Sequence, residues 1–368
     1  MIVIADDITG AAEIAGIAFS QGLQVRLCVG CGSVAASGFT VIATDTRSMT
    51  AAAAIAETRH IAYRLSPITH HPSPITPHLF KKTDSALRGH VVAELSALME
   101  ATGYRRAVYL PANPSKGRVI RSGVYYINNI PIADTDFSFD PEFPAKTSVL
   151  KERFPDAGRH HIIMPDAESE DDIRQVVAAY NDGHTLFAGA ADLFSVILAS
   201  LSHVGAGPAP AQTLISAFAA DHPAGAGPTP TLIVCGSTQS KTPDIGIAVA
   251  PMPCQLYDGS TDIILWDTSA YTRTQSIILT IPYHHRTGKD CAEHLRAVTA
   301  RKVKSLMEQH LPARLVIEGG ATAWAILQSL GWTSFEVIRQ IAPGVVQLRS
   351  DNGVLVTLKP GSYPWGII

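Results

Sequence analysis

Short apolar runs alternate with helical repeats over the first 200 residues. MIVIA at the start is an apolar run, AAEIAGIAFSQG carries apolar residues at helical spacing, and LQVRLCV is a second apolar run. A third run, FTVIATDT, precedes an alanine-rich segment that predicts a helix from about residue 50 to residue 65. Strands that alternate with helices indicate a parallel sheet with helices on both faces.

The same alternation continues to residue 202. HLFKKTDS predicts a strand that runs into a polar turn, VVAELSALMEATG a helix that ends at a glycine, and RRAVYLPA the next strand. HHIIMPDA and HTLFAGA predict strands around a helix over DDIRQVVAAYN. Residues 111–145 are rich in Pro, Gly, Asn and Asp and too long for a simple connector, so we interpret them as a functional excursion rather than disorder.

Composition changes after residue 202. Residues 203–230 are rich in Gly, Ala and Pro and predict a flexible linker. The α/β pattern resumes in TLIVCGSTQSKTPD and RLVIEGGATAWAILQSLGW, and VVQLRSDNGVLVTLKPGS predicts a hairpin that turns at Asn352 and Gly353. We therefore predict an α/β fold of two domains, residues 1–202 and 231–368, each with a mostly parallel sheet flanked by helices.

Composition narrows the class of protein. A chain of 368 residues exceeds what one hydrophobic core usually organises, and 46% hydrophobic with 17% charged residues is ordinary for a globular protein. The 29 basic residues are set against 32 acidic ones, which gives no basis for nucleic-acid or membrane binding. The start has no export signal, no window of ~20 apolar residues occurs, and the five cysteines and the histidines lack metal-ligand spacing. We expect a cytoplasmic protein with reduced thiols and no protein-held metal site.

Four polar groups each follow a predicted strand, at the edge where open α/β sheets bind ligands. The first contains Asp6 and Asp7, of which one can cap a helix while the other reaches a ligand or metal; a plain cap and loop is equally compatible. The second places cations beside an acid and a hydroxyl ahead of a helix: Lys81, Lys82, Thr83, Asp84, Ser85, Arg88 and Gly89. That arrangement suits a carboxylate-bearing substrate, although a solvated charge run that caps the helix is the alternative.

The other two groups are rich in glycine. The third combines glycines with cations that can pair with oxyanions, or is a surface loop without a ligand: Asn113, Pro114, Ser115, Lys116, Gly117, Arg118 and Gly123. The fourth lies beyond the linker, in Gly236 to Gln239 and in Gly319 to Thr322, where small residues between strand and helix let backbone amides hold phosphate. Neither segment is a Walker loop or a GxGxxG motif, and tight strand-to-helix packing is the alternative explanation.

Taken in order, these segments resemble the four-carbon acid sugar kinases over almost the whole chain. ADDITGAAEIA at 5–15, TDTRS at 44–48, KTDSALRGH at 82–90 and PANPSKGRVIRSG at 111–123 are similar to the motifs of the sugar-acid domain. IEGGATAWAILQSLG at 317–331, IAPGV at 341–345 and TLKPGSYPWG at 357–366 are similar to those of the nucleotide domain. Departures are Ala321 in place of a Glu, Gln239 in place of a Ser, and PGSY in place of S-G-N-F.

The resemblance implies that a sugar acid and ATP with Mg²⁺ meet in the cleft between the two domains. Asp84 or Asp7 would be the catalytic base. The implied substrate contacts are Asp7, Arg47, Lys82, Asp84, Ser85, Arg88, Gly117 and Arg118. The implied nucleotide contacts are Ser237, Gln239, Gly319, Gly320, Ala321, Thr322 and Gly361. A sugar-acid-binding homologue with impaired catalysis is the rival interpretation, and the missing GxGxxG weighs against an α/β oxidoreductase. The sequence is compatible with a homodimer and does not fix the oligomeric state.

Overall fold

The computed structural model describes residues 1–30, 38–69, 79–140, 142–202, 230–236, 250–252, 254–256, 264–266, 271, 276–280 and 288–361. The chain divides into two compact units. Unit 1 consists of Met1–Ile14 and Ser33–Pro208, and unit 2 of Ala15–Gly32 and Ala209–Ile368. The predicted linker falls on 203–229, which lies outside the described residues, so the predicted boundaries at 202 and 231 stay a prediction.

Unit 1 contains a parallel sheet of six strands in the order β3-β1-β4-β10-β5-β9, in which every neighbouring pair is parallel. The strands are β1 Ile2–Ala5, β3 Phe39–Ala43, β4 Leu79–Lys82, β5 Arg106–Leu110, β9 Ile162–Ile163 and β10 Thr185–Gly189. The helices are α1 Ile8–Ser20, which runs past the unit boundary, α2 Ala51–Thr69, α3 Val91–Thr102, α4 Leu150–Arg153, α5 Glu170–Tyr180 and α6 Ala191–Ser202.

The order of strands reverses around β1. The chain reaches β3 on one side of β1 and then β4 on the other side. All residues of these three strands are buried, including the side chains of Lys81 and Lys82. Open α/β sheets bind ligands where the strand order reverses, so the carboxyl ends of β1, β3 and β4 are the expected position of a site.

The segment 111–145 is an ordered excursion, as predicted, apart from residue 141, which is outside the described part. It forms an antiparallel sheet of β6 Arg118–Arg121, β7 Val124–Ile127 and β8 Ile130–Pro131. Two 3₁₀ turns follow, Ile132–Asp134 and Asp136–Phe139. The loop therefore has secondary structure that can position side chains.

Unit 2 contains a second, mixed sheet in the order β12-β15-β11-β16-β19-β18-β17-β2. The strands of this sheet are β2 Val25–Val29, β11 Thr231–Cys235, β12 Ala250–Met252, β15 Ile277–Thr280, β16 Arg314–Glu318, β17 Ser334–Ala342, β18 Val345–Ser350 and β19 Leu355–Lys359. Two further strands, β13 Cys254–Leu256 and β14 Ile264–Trp266, form a separate antiparallel pair. The first five strands of the sheet are parallel, and β18, β17 and β2 are antiparallel to their neighbours. The described helices are α7 Lys289–Gln309 and α8 Gly320–Leu330, which pack together.

The α/β fold with mostly parallel sheets and flanking helices is confirmed. The hairpin of β18 and β19 turns at Asn352 and Gly353 as predicted, and Gly353 has a φ of +85°. The strand β2 pairs antiparallel with β17, which explains why residues 15–32 belong to unit 2. Among the helices that the structure describes, none combines the length and apolar character needed to cross a bilayer.

Gly189 tests the packing at the end of β10. A Cβ atom at this position would lie 2.0 Å from the backbone oxygen of Leu110, which cannot move without breaking the β10–β5 pairing. Gly189→Ala should therefore destabilise the protein by roughly 1–3 kcal/mol, as overpacking of a core usually does. The measurement is the midpoint of thermal unfolding.

Gly158→Ala is the matched control, because a Cβ there meets nothing within 4 Å and the residue has no left-handed φ. It should be neutral or slightly stabilising. Equal midpoints for the two variants would contradict the proposed packing.

Candidate functional site

Three parallel strands deliver polar residues to one edge of the unit 1 sheet. Ala5, Ala43 and Lys82 are in register, so β1, β3 and β4 end at the same level. Asp6 and Asp7 follow β1, a 3₁₀ turn with Arg47 follows β3, and Asp84 follows β4. The sheet therefore brings together residues that lie far apart in the sequence.

Arg47 is the centre of this group. Its guanidinium donates to both carboxylate oxygens of Asp6, at 2.8 and 3.2 Å, and from Nη1 to Oδ2 of Asp7 at 3.1 Å. Oδ1 of Asp84 lies 3.8 Å from Nη1 of Arg47. The Arg47 side chain is only 16% exposed, so this cluster of one cation and three carboxylates is largely shielded from water.

Asp84 has a second arginine partner. Arg88 donates from Nε to Oδ2 at 2.8 Å and from Nη2 to Oδ1 at 3.0 Å, which is a bidentate pair. The backbone amides of Ala86 and Arg88 also donate to Oδ2 of Asp84, at 3.0 and 3.3 Å. Burial by itself would raise the pKa of Asp84, but the charge of Arg47 and the hydrogen bonds and charge of Arg88 outweigh it, and the pKa lies well below its ordinary range.

The pKa values of the two adjacent carboxylates shift in opposite directions. Burial raises the pKa of Asp6 above its usual value, because the charge of Arg47 offsets only part of that effect and the charge of Asp7 adds to it. Burial opposes ionisation of Asp7 as well, but the charge of Arg47 and the hydroxyl hydrogen bond of Thr9 lower its pKa. Asp7 also accepts from the amide of Gly10 at 2.8 Å and so caps α1.

Lys82 is paired on the other side of the cluster. It is 4% exposed, donates to the carbonyl of Thr83 at 3.0 Å and lies 3.4 Å from Glu13 of α1. Lys116, from the excursion, donates to the other oxygen of Glu13. Burial opposes ionisation of Glu13, but the charges of Lys82 and Lys116 lower its pKa.

A fully buried ion pair supports the turn that carries Arg47. Nζ of Lys81 in β4 lies 2.5 Å from Oε2 of Glu94 in α3, and the hydroxyl of Thr46 donates to that same oxygen at 2.9 Å. The exposures of Lys81 and Glu94 are 1% and 2%. Loss of either partner would leave a buried charge, so this pair fixes the residue next to Arg47.

The excursion adds a third arginine and an aromatic ring. Arg118 donates from Nη1 to the hydroxyl of Ser85, and the buried Tyr125 donates to the carbonyls of Ser85 and Pro111. The guanidinium carbons of Arg88 and Arg118 each lie 5.8 Å from the centre of the Phe137 ring. The ring therefore holds two cations beside Asp84.

In unit 2, Gly319 and Gly320 lie at the start of α8. Gly319 has a φ of +96°, and no side chain among the described residues caps the helix. A Cβ on Gly236, at the end of β11, would lie 2.0 Å from the hydroxyl of Thr322. The Thr322 side chain therefore fills the space beside Gly236, while the first amides of α8 have no side-chain cap among the described residues and can receive an anion.

Behind this helix start lies a buried pair that the sequence did not reveal. Nζ of Lys359 is 2.6 Å from Oε1 of Glu318. The amide of Gly319 donates to the carbonyl of Lys359 at 2.9 Å. Burial and the charge of Glu318 raise the pKa of Cys235 to about 12, so its thiol is un-ionised at neutral pH.

The structure thus brings Asp7, Arg47, Lys82, Asp84 and Arg88 together, and Arg118 contacts Ser85. Gly117 instead shapes a turn: its φ is +65° and its carbonyl accepts from the amide of Asn128 at 2.7 Å. Ala321 is exposed and Thr322 is 5% exposed, while Gly361 follows β19. Ser237 and Gln239 lie outside the described residues.

Sequence reasoning left several partners unassigned: Asp6, Glu13, Glu94, Phe137, Glu318 and Lys359. Asp6 and Glu13 stand inside the first quoted motif, which was the available signal, whereas Phe137 had none. In the part of the chain that the structure describes, no three or more His, Cys, Asp or Glu side chains come close enough to hold a metal ion.

The low pKa of Asp84 predicts how stability depends on pH. Ionised Asp84 stabilises the fold fully above its unfolded pKa of about 3.9, and this contribution disappears as the pH falls towards the lower pKa of the folded state. Asp84→Asn should therefore unfold at a lower temperature than the wild type at pH 7. That difference should shrink between about pH 5 and pH 3 in thermal unfolding experiments.

The control is Asp171→Asn, which removes an exposed carboxylate paired with Arg174 at 2.7 Å. Exposed pairs contribute about 0–1 kcal/mol, so this variant should follow the wild type across the series. An Asp84→Asn difference that stays constant with pH would contradict the lowered pKa.

Comparison with known proteins supports the two halves separately. A family model described as a sugar-binding N-terminal domain matches residues 1–156, and one described as a nucleotide-binding C-terminal domain matches residues 254–363. The first range contains Arg47 and its three carboxylate partners, Asp6, Asp7 and Asp84. The second contains Gly319, Gly320 and Lys359.

Relatives carry kinase names. A D-threonate kinase of Salmonella typhimurium is 32% identical over 154 residues, which is 41% of this chain and 35% of that protein, so this match spans about a third of the relative. A 3-oxo-tetronate kinase of Brucella melitensis is 27% identical over 98% of this chain and 92% of its own length.

A crystal structure of a Salmonella typhimurium LT2 protein matches with a TM-score of 0.71 at 18% identity, covering 98% of this chain and 96% of that one, and it shows that the fold is shared. The order of the motifs, the two domain matches and the names of the relatives all indicate the same family. The chain belongs to the four-carbon acid sugar kinase family.

Proposed function

We propose that this protein is a kinase that uses ATP to phosphorylate a hydroxyl group of a four-carbon sugar acid of the threonate, erythronate or 3-oxo-tetronate type. The observation that carries the proposal is the Arg47 cluster at the end of β1, β3 and β4. Together with Lys82 and Arg88 beside it, the cluster combines cationic side chains, which suit a carboxylate, with a buried aspartate that can accept a proton.

Asp84 is the better base of the two aspartates. Asp7 is committed to the cap of α1 and to Arg47. Asp84 also has a cationic partner, Arg88, whose side chain is 31% exposed and can leave. In this mechanism Asp84 accepts the proton of the substrate hydroxyl, and Arg88 with Lys82 binds the carboxylate.

The residues at the start of α8 fit a nucleotide phosphate. No side chain among the described residues caps the amides of Gly320 and Ala321, and the positive φ of Gly319 sets the backbone from which they start, so these amides can donate to phosphate oxygens. The bound nucleotide supplies the γ-phosphoryl group. Mg²⁺ usually takes phosphate oxygens with one or two carboxylates, and we assign no residue to it.

The substitution Asp84→Asn tests the chemistry. With Mg²⁺-ATP and a panel of four-carbon sugar acids, the wild type should release ADP with at least one acid in a coupled assay. Asp84→Asn should lower kcat by roughly 100-fold or more, because a general base contributes that much. Glu170→Gln, which alters only an exposed pair on α5, should keep the wild-type kcat.

A kcat for Asp84→Asn within a few fold of the wild type would exclude Asp84 as the base and leave Asp7. Absence of ADP release with every acid would contradict the proposed function.

Gly319→Ala tests the nucleotide contact. Alanine is strained at a φ of +96°, and it changes the backbone from which the phosphate-binding amides start. The variant should bind a non-hydrolysable ATP analogue about tenfold or more weakly in calorimetry, which corresponds to about 1.4 kcal/mol.

Gly331→Ala is the control, because Gly331 ends the same helix with a φ of +69° and carries a similar strain. This variant should lower the unfolding temperature without weakening the binding of the ATP analogue. Equal losses of affinity would point to strain in α8 rather than to a phosphate site. If the wild type binds a sugar acid but no analogue, the catalytically impaired binding protein becomes the better interpretation.

A further inference from the structure

While Arg88 is bound to it, Asp84 is not available as a base, because its carboxylate is fully engaged. Both oxygens are held by Arg88, and Oδ2 takes two backbone amides besides. Burial opposes the charge of Asp84, but Arg47 and Arg88 together hold its pKa well below the ordinary range. A base this weak takes up a hydroxyl proton poorly at neutral pH.

The two arginines beside Asp84 differ in how firmly they are held. Arg47 has Asp6 and Asp7 as partners besides Asp84, and its side chain is 16% exposed. Arg88 is 31% exposed and, among the described residues, has one other carboxylate within 4 Å, that of Asp140 at 3.6 Å. The carbon of its guanidinium lies 5.8 Å from the centre of the Phe137 ring, so it has an aromatic contact besides its carboxylate partners.

We propose that Arg88 makes catalysis depend on the carboxylate of the substrate: the incoming carboxylate takes Arg88 away from Asp84, and only then does Asp84 accept the hydroxyl proton. This inference rests on the proposed kinase function. One bidentate arginine–carboxylate pair replaces another, so the exchange keeps the number and type of charge-assisted hydrogen bonds. Arg88 is then a specificity-determining residue, since a neutral sugar cannot make the exchange.

Transfer of the γ-phosphoryl group follows the exchange. The substrate hydroxyl loses its proton to Asp84, and its oxygen forms a bond to the γ-phosphorus of ATP. The bond from that phosphorus to the β–γ bridging oxygen breaks, and ADP leaves with the electron pair. Departure of Arg88 removes its charge and its hydrogen bonds from Asp84, so the burial that favours protonation is then opposed mainly by Arg47 at 3.8 Å.

The test compares a reactive sugar acid with its own amide, which keeps every hydroxyl but has no charge. In the wild type the amide should have a kcat about 100-fold lower than the acid, in addition to a higher KM. Arg88→Met should raise the kcat of the amide at least about tenfold above the wild-type value, because Asp84 is no longer paired with Arg88. A gain of activity cannot result from misfolding, and Arg88→Gln should show the same gain.

Arg118→Met is the matched control, since Arg118 lies at the same 5.8 Å from Phe137 but pairs with Ser85 rather than Asp84. It should not raise the kcat of the amide. Equal wild-type kcat values for acid and amide, or no gain in either Arg88 variant, would overturn this inference while leaving the kinase function intact. Lack of ADP release from every acid would overturn the kinase function and the inference together.

Discussion

The unit 1 site depends on one guanidinium that three carboxylates share. Arg47 contacts Asp6, Asp7 and Asp84, which come from the ends of two strands on either side of its own turn in the sequence. Taking these charges out of water costs free energy that only near-ideal pairing recovers, so the strands must end at the same level. The register of Ala5 with Ala43 and with Lys82 meets that condition. The sheet and the site therefore constrain each other.

The two units handle negative charge in different ways. In unit 1 the cations Arg47, Lys82, Arg88 and Lys116 each have a carboxylate within 4 Å, so an anion that binds one of these four has to exchange with a carboxylate that is already there. In unit 2 the cation Lys359 is paired with Glu318 beneath the loop, and backbone amides at the start of α8 remain for an anion. Side-chain charge can select a carboxylate, whereas amides suit phosphate oxygens of any orientation.

The sequence predicts local features well and long-range pairing poorly. Periodicity located β1, β3, β4 and the glycine at the end of α3, because these depend on neighbours in the chain. It did not indicate that β2 pairs with β17, more than 300 residues away, or that Lys81 pairs with Glu94 in the core. Asp6 and Asp7 look equivalent in the sequence, and only burial and the positions of Arg47 and Thr9 distinguish them. Which residues pair with each other depends on the folded chain. Residue type and spacing could therefore predict the residues of the site but not the pairs that they form.

Arg47 and Arg88 differ in the contacts that hold each of them in place. Arg47 sits on a turn whose neighbour Thr46 is tied to Glu94 and Lys81, and its partners are anchored in strand ends. Arg88 follows a loop in which Leu87 has a φ of +64°, and its side chain reaches back to Asp84 over Phe137. A cation held by buried partners contributes a fixed positive charge to the site, but it cannot move towards a ligand. A cation on a short loop can move in this way. The proposed exchange therefore uses both kinds of arginine, one that keeps Asp84 in place and one that is exchanged.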